Sequence, residues 1–139
     1  MNELQLKLCD IQGRLFELSA DNNYGSAAFV KTFMTSEVAK ALDSTYNRMQ
    51  WAGEEYLLEE LVAISGDKIT NEGEVYSKNI LYWMGYLYRY WHYYTNEESS
   101  KIYKQATVET MKRIYLMFHT MAPELAIDDL KAIYKQKRS

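Results

Sequence analysis

Tyr76-Ser-Lys-Asn-Ile-Leu-Tyr-Trp-Met-Gly-Tyr-Leu-Tyr-Arg-Tyr-Trp-His-Tyr-Tyr94 carries apolar or aromatic side chains on nearly every face of a helical wheel. A helix of that kind belongs where several other elements pack around it. The segment is therefore expected to be the central helix of the molecule, over about residues 73–94. Asn71 followed by Glu74 resembles a capping box and sets its start. Gly85 in its interior costs about 1 kcal/mol relative to alanine, so it marks the close approach of another helix. Arg89 and His92 interrupt the richest apolar run, Ile80 to Tyr94, which leaves no stretch of roughly 18 apolar residues able to span a membrane.

The same helical period extends in both directions. Leu4, Leu8, Ile11, Leu15 and Leu18 alternate spacings of four and three, which predicts a first helix over residues 3–19. Asp21-Asn22-Asn23 and Gly25 break it with residues that favour turns. Ser26 is expected to cap a short helix carrying Phe29 and Phe33, and Ser36 to cap a third that buries Val38 and Leu42. Tyr46 to Trp51 reads as a further short helix. Gly53 then precedes Glu54 and Glu55 at the start of a helix that is expected to bury Leu57, Leu58, Leu61 and Ile64 and to stop at Gly66. Asp67 to Gly73 is the one stretch resembling a linker. After Thr95-Asn96 the pattern predicts helices near 99–105, from Thr107 to Phe118, and from Ala122 to about Lys135 with Pro123 in the first turn. The fold class that follows is all-α: a compact multi-helix bundle in a single domain over 1–139, with submodules 1–66 and 73–139 around the central aromatic helix.

Bulk composition agrees. The 139 residues are 47% hydrophobic and 25% charged, enough apolar matter for a core, and one proline with six glycines is too little punctuation for a β-sandwich or barrel. A lone cysteine, Cys9, forms no internal disulfide, and the start Met1-Asn2-Glu3-Leu4 lacks a secretory pattern, so a cytoplasmic location is expected. The net charge of −3 divides unevenly: residues 1–75 hold 6 basic and 13 acidic side chains, a balance of −7, whereas residues 76–139 hold 10 and 6, a balance of +4. Such polarity can orient a charged partner or a second copy, but solvated helix faces produce it too, and that is the preferred reading; it argues against general nucleic-acid affinity.

Sliding the chain by 69 residues aligns Val38–Leu61 with Thr107–Leu130 without a gap. Tyr46 then meets Tyr115, Glu55 meets Glu124 and Leu61 meets Leu130; Leu42 falls opposite Met111, Met49 opposite Phe118, and Glu59-Glu60 opposite Asp128-Asp129. Two related helical modules explain this register, as do two amphipathic helix pairs obeying one packing rule. The segments Leu42 to Leu61 and Tyr115 to Leu130 resemble a family of small bacterial helical proteins of the antitoxin type. Their pattern is a leucine, a tyrosine four residues on, a Leu-His-Thr-like turn, then Gly-Glu-Glu and an apolar-acidic helix. Members are encoded beside ADP-ribosyltransferase-like toxin candidates, so the resemblance implies an antitoxin or immunity-type partner. It covers about half of the chain. The first copy departs with Gln50-Trp51 in place of His-Thr, and the second with Ala122-Pro123 in place of Gly-Glu.

Catalytic chemistry finds little to work with. Cys9 lies near the apolar stripe of the first helix and reads as a buried structural thiol, not as half of a dyad with His92 or His119. Two histidines without His-Glu-x-x-His or spaced cysteines make no zinc site. Glu54-Glu55, Glu59-Glu60 and Asp128-Asp129 invite comparison with helical carboxylate metal sites, but Arg89 and Leu116 occupy the positions three before the histidines where such sites need a carboxylate. No phosphate-binding glycine motif occurs. Neither cofactor nor metal is expected, and no enzymatic activity.

Thirteen tyrosines and three tryptophans point instead to recognition, because such rings concentrate at binding hot spots. Met84, Leu87 and Trp91 share a core spacing, whereas Tyr86, Arg89, Tyr90 and Tyr93 read as surface anchors. The expectation is a non-enzymatic protein-binding module, an antitoxin-like neutraliser docking a toxin or effector through Trp51, Glu54, Glu55 and Tyr56, through Arg89, Tyr90 and Tyr93, and through His119. Rival readings are a self-associating homodimer, a regulator with an aromatic small-ligand pocket near His92 or His119, and a DNA binder using the basic tail of Lys131, Lys135, Lys137 and Arg138.

Overall fold

The computed structural model describes residues 1–45 and 47–138. The chain is an all-α bundle: α1 (Glu3–Asp21), α2 (Ser26–Met34), α3 (Glu37–Asp43), α4 (Glu54–Ser65), α5 (Lys78–Thr95), α6 (Ser99–Gln105), α7 (Val108–Phe118) and α8 (Pro123–Arg138), with no strand among the described residues. Single 3₁₀ turns stand at Arg48–Trp51 and Gly66–Lys68. The first of these replaces the short helix expected over Tyr46 to Trp51, and Tyr46 itself lies outside the described residues. No helix among the described residues is long and apolar enough to cross a membrane.

Local chemistry explains most boundaries. α1 opens on a capping box in which Asn2 Oδ1 accepts from the Gln5 amide at 2.8 Å while Gln5 Oε1 accepts from the Asn2 amide at 3.2 Å. Ser36 caps α3 by accepting from the Ala39 amide. Ser26 does not cap α2. It is the first helical residue, and its hydroxyl instead accepts from the Tyr76 amide at 2.9 Å.

That bond belongs to the largest departure from expectation. α5 begins at Lys78 behind the cap Ser77, not near residue 73, because residues 70–76 run as an extended strip along the α1–α2 corner. The carbonyls of Thr70 and Glu74 accept from the amides of Gly25 and Ser26 at 2.8 and 2.9 Å. Asn71, expected to cap the helix, donates instead to the carbonyls of Asn22 and Asn23. An added Cβ on Gly25 would run into the carbonyl of Glu72, so the strip can lie this close only against glycine. The supposed linker is thus part of the packed structure, with Ile69 buried. Ile64 is a second departure: the inward stripe of α4 is Leu57, Leu58, Leu61 and Ser65, which leaves Ile64 52% exposed.

The core gathers around an antiparallel pair, α1 against α5, not around α5 alone. Lys78 at the start of α5 pairs with Asp21 at the end of α1, and the backbone of Gly85 lies against that of Gln12, as the interior glycine implied. Phe16 of α1 packs edge-on against Phe29, Phe33 and Tyr88 at centroid separations of 5.7, 5.5 and 6.3 Å. Each such contact contributes roughly 0.5–1.5 kcal/mol beyond its buried area.

Element order repeats across the pair. One long helix followed by three shorter ones occurs as α1–α4 and again as α5–α8. Some contacts follow the same rule: α1 touches α4 as α5 touches α8, α1 touches α2 as α5 touches α6, α2 touches α7 as α3 touches α6, and α2 meets α6. With the 69-residue register, Gly53 and Ala122 stand before the two corresponding helix starts, and Leu57, Leu58 and Leu61 fall opposite Ala126, Ile127 and Leu130, all six buried. The register extends into the long helices, where Leu15 falls opposite Met84 and Phe16 opposite Gly85. The contacts α5·α7, α2·α3, α3·α4 and α6·α8 have no counterpart of similar extent in the other half, so the repeat is one of element order and of part of the packing.

Candidate partner-binding face

One face of the α1–α5 pair stays open between two corners, the Trp51–Glu54 corner leading into α4 and the His119–Pro123 corner leading into α8. On the α8 side lies a groove of about 790 Å³. Its floor and walls are aromatic: Tyr82, Trp83 and Tyr86 from α5, Tyr115 from α7, and His119 from the corner. The edge of Trp83 meets the Tyr115 ring at 5.5 Å, and the His119 imidazole stacks on Tyr115 at 4.4 Å. The far rim is charged, formed by Asp10, Arg14 and Glu17 of α1. These two rims are repeat equivalents, since Asp10, Arg14 and Glu17 fall opposite Asn79, Trp83 and Tyr86 in the 69-residue register. The same helical positions carry charge on one side and, on the other, an amide and two rings.

The rim side chains are organised by hydrogen bonds. Arg14 Nε reaches Asp10 Oδ2 at 2.9 Å, and the Tyr82 hydroxyl donates to Asp10 Oδ1 at 2.5 Å. Tyr90 extends the ring row by stacking on Tyr86 at 6.2 Å and donates to Glu124 at 2.8 Å. Burial and the Glu124 bond push the Tyr90 hydroxyl up to about 12, and burial raises Tyr86 as well, so the phenols stay protonated donors. The His119 Nδ1 contacts the Tyr115 carbonyl at 2.7 Å. A carbonyl only accepts, so Nδ1 holds a hydrogen and Nε2 is the ring atom left for an occupant.

The groove continues across α1. Asp10 and Arg14 also line a hollow of about 360 Å³ with Trp51, Ala52, Gly53 and Glu54. A shallower one of about 230 Å³ joins Arg14 and Glu17 to Glu54 and Glu55. Tyr56 lies on the other flank of Trp51, beside Arg48. Trp51 is 77% exposed, and the helix end behind the groove's opposite wall presents Leu116 at 81% and Met117 at 67%. Single exposed apolar residues are ordinary; of these three only Trp51 lines a hollow of this face.

Of the eight anchor residues expected from the sequence, the fold thus brings Trp51, Glu54, Glu55 and His119 to one face, with Tyr56 and Tyr90 at its borders. Arg89 is a correction. It is completely buried, donating from Nε to Gln12 Oε1 at 2.8 Å, from Nη1 to Asp43 at 2.6 Å and from Nη2 to Ser99 at 3.3 Å. Asp43 in turn accepts from the Ser99 amide and hydroxyl, both at 2.8 Å. His92 borders the cluster, its Nδ1 donating to the Glu97 carbonyl at 2.7 Å. Tyr93 is half-buried with its hydroxyl enclosed beneath the surface, so it too turns mostly inward. Both lie on the stripe of Gly85, four and eight residues on, which faces α1; spacing from the glycine was the signal that placed them inside.

Asp10, Arg14, Glu17, Tyr82, Trp83 and Tyr115 were not singled out by sequence reasoning. Two signals were present: Asp10, Arg14 and Glu17 form a polar stripe alongside the leucine stripe of α1, and Tyr82, Tyr86 and Tyr90 recur every four residues. Cys9 is fully buried, and burial pushes its thiol up to about 12 against the pull of Arg89, the reverse of nucleophile activation. No group of three His, Cys, Asp or Glu among the described residues is placed to hold a metal ion. Comparison with protein families, curated proteins and solved structures finds no match to this chain.

Proposed function

We propose that the chain is a non-enzymatic binding module that docks a cognate protein on the open face of the α1–α5 pair, in the manner of an antitoxin neutralising a toxin or effector. The observation that carries this reading is the continuous concave surface from Trp51 across Asp10, Arg14 and Glu17 to the aromatic groove at His119. Its composition suits an interface: rings for area, a polar rim for register, and the exposed Trp51 at one end. Neutralisation works by occlusion, since a standard interface of about 1,600 Å² covers a catalytic cleft. The resemblance of residues 42–61 and 115–130 to antitoxin-type proteins points to the same class of partner.

Co-expression with the product of the adjacent gene, followed by co-purification and titration, tests the reading. A complex is expected, weakened at least 30-fold by Trp51→Ala or Tyr115→Ala, each with an unchanged circular dichroism spectrum. A chain that binds no neighbour product and leaves its toxicity untouched refutes the proposal. A second reading has one observation in its favour: about 790 Å³ lies within the range of small-ligand sites, roughly 300–1,000 Å³. On that reading a small aromatic or cationic metabolite, not a protein, occupies the groove.

A further inference from the structure

Resting on that docking reading, we infer that the groove seats a guanidinium side chain of the partner, held between Glu17 and the rings of Trp83 and Tyr86. The charge balance of the site points there. Arg14 is closed by Asp10, whose other oxygen takes the Tyr82 hydroxyl, and Lys78, the cation on the far side of Glu17, is closed by Asp21. Glu17 is half-buried and carries no hydrogen bond or ion pair among the described residues. Glu54 and Glu55, across the shallow hollow from it, are likewise unpaired among the described residues. The groove side of the face therefore holds three carboxylates without a bonded partner among the described residues, Glu17, Glu54 and Glu55, with Lys78 acting on Glu17 only at longer range, whereas the unbonded cations Lys7 and Arg48 lie away from Glu17, around Trp51.

Ring and carboxylate together select the chemistry. A carboxylate accepts a guanidinium through two parallel hydrogen bonds, and Trp and Tyr faces attract the same planar cation electrostatically. An ammonium satisfies the charge but neither the fork nor the stacking, so arginine is preferred over lysine. An anionic occupant would have to displace Asp10 from Arg14 and lie beside Glu17.

The probe is N-acetyl-argininamide, titrated against the full chain while the Trp83 indole and His119 ring signals are followed by NMR, with Trp83→Phe assigning the indole. A saturable shift at both sites is expected, weakened at least five-fold by Glu17→Gln and by raised salt, with the uncharged citrulline amide giving none. Equal shifts from the citrulline amide, no dependence on Glu17, or shifts confined to Trp51 overturn the inference. Glu17→Gln removes no bond, so its melting temperature should match the parent and a folding defect does not confuse the result. The two proposals separate cleanly. A partner that binds Glu17→Gln as tightly as the parent but loses Tyr115→Ala leaves docking intact and removes the cation; a Glu17-dependent arginine signal with no protein partner does the reverse.

Discussion

Replacing Gly85 by alanine should destabilise the protein, although glycine-to-alanine changes inside helices normally stabilise. Alanine is worth about 1 kcal/mol over glycine in an open helix interior. Here an added Cβ would sit 2.5 Å from the Gln12 carbonyl oxygen and 2.9 Å from Phe16 Cγ, well inside ordinary carbon contact distances of about 3.5 Å. The oxygen belongs to the α1 backbone, so relief requires the two long helices to part. That movement stretches the bond from Gln12 Nε2 to the Gly85 carbonyl, now 2.9 Å, and the bond that Arg89 makes to the same amide. Overpacking costs about 1–3 kcal/mol and the strained buried hydrogen bonds about 1 more. Against the propensity gain, a net loss of about 1–3 kcal/mol follows, a fall in melting temperature of roughly 3–10 °C for a chain of this size. Urea unfolding measures it, with exposed Ala63→Gly in α4 as the control for ordinary propensity, expected to cost about 1 kcal/mol. A Gly85→Ala protein more stable than the parent would show that α1 and α5 do not meet at this point.

Other outcomes are equally definite. Arg89→Ala strands the Asp43 carboxylate in the interior and should cost about 3–5 kcal/mol, enough to unfold much of the population at 37 °C, whereas Trp51→Ala should change stability by less than about 0.5 kcal/mol; thermal melts compare the two. Glu97 is held at about 2, because hydrogen bonds from Lys131, Trp91 and Gln105 and the contact with Thr95 outweigh the opposing effect of burial. A depressed carboxylate stabilises above its unfolded value near 4.5 and loses that contribution as pH falls toward 2. The displacement amounts to roughly 3 kcal/mol, screened by partial exposure to about 1–2 kcal/mol, so Glu97→Gln should flatten the acid limb of a stability–pH curve by that amount. Cys9 should resist thiol reagents in the native protein and react only in denaturant, which mass spectrometry after alkylation resolves.

Helix content was legible because apolar periodicity is a local signal. Leu4 to Leu18 laid out α1, and Gly53 and Pro123 marked the starts of α4 and α8. What the sequence concealed was nonlocal. Asn71 and Glu74 have the right residue types and spacing for a cap, yet their backbone is used by α2, and nothing near residue 73 reveals that. Arg89 shows the same limit for the site: a charged residue among tyrosines reads as exposed unless its partners Gln12 and Asp43, 77 and 46 residues away, are known. Trp51 and His119 were recoverable because turn residues between helices face outward by default. Their assembly on one face was not, since it depends on how the two halves cross.

The buried guanidinium decides how this molecule comes apart. Gln12 and Asp43 belong to the first half of the chain, Ser99 and Arg89 to the second, and the Arg89 guanidinium holds the other three. Neither half can peel away without leaving a bare ion in hydrocarbon, so partial opening is as unfavourable as complete unfolding. Amide protons in α1, α3, α5 and α6 should accordingly exchange with solvent in one cooperative event, and a chain cut within residues 66–73 should keep its two fragments associated.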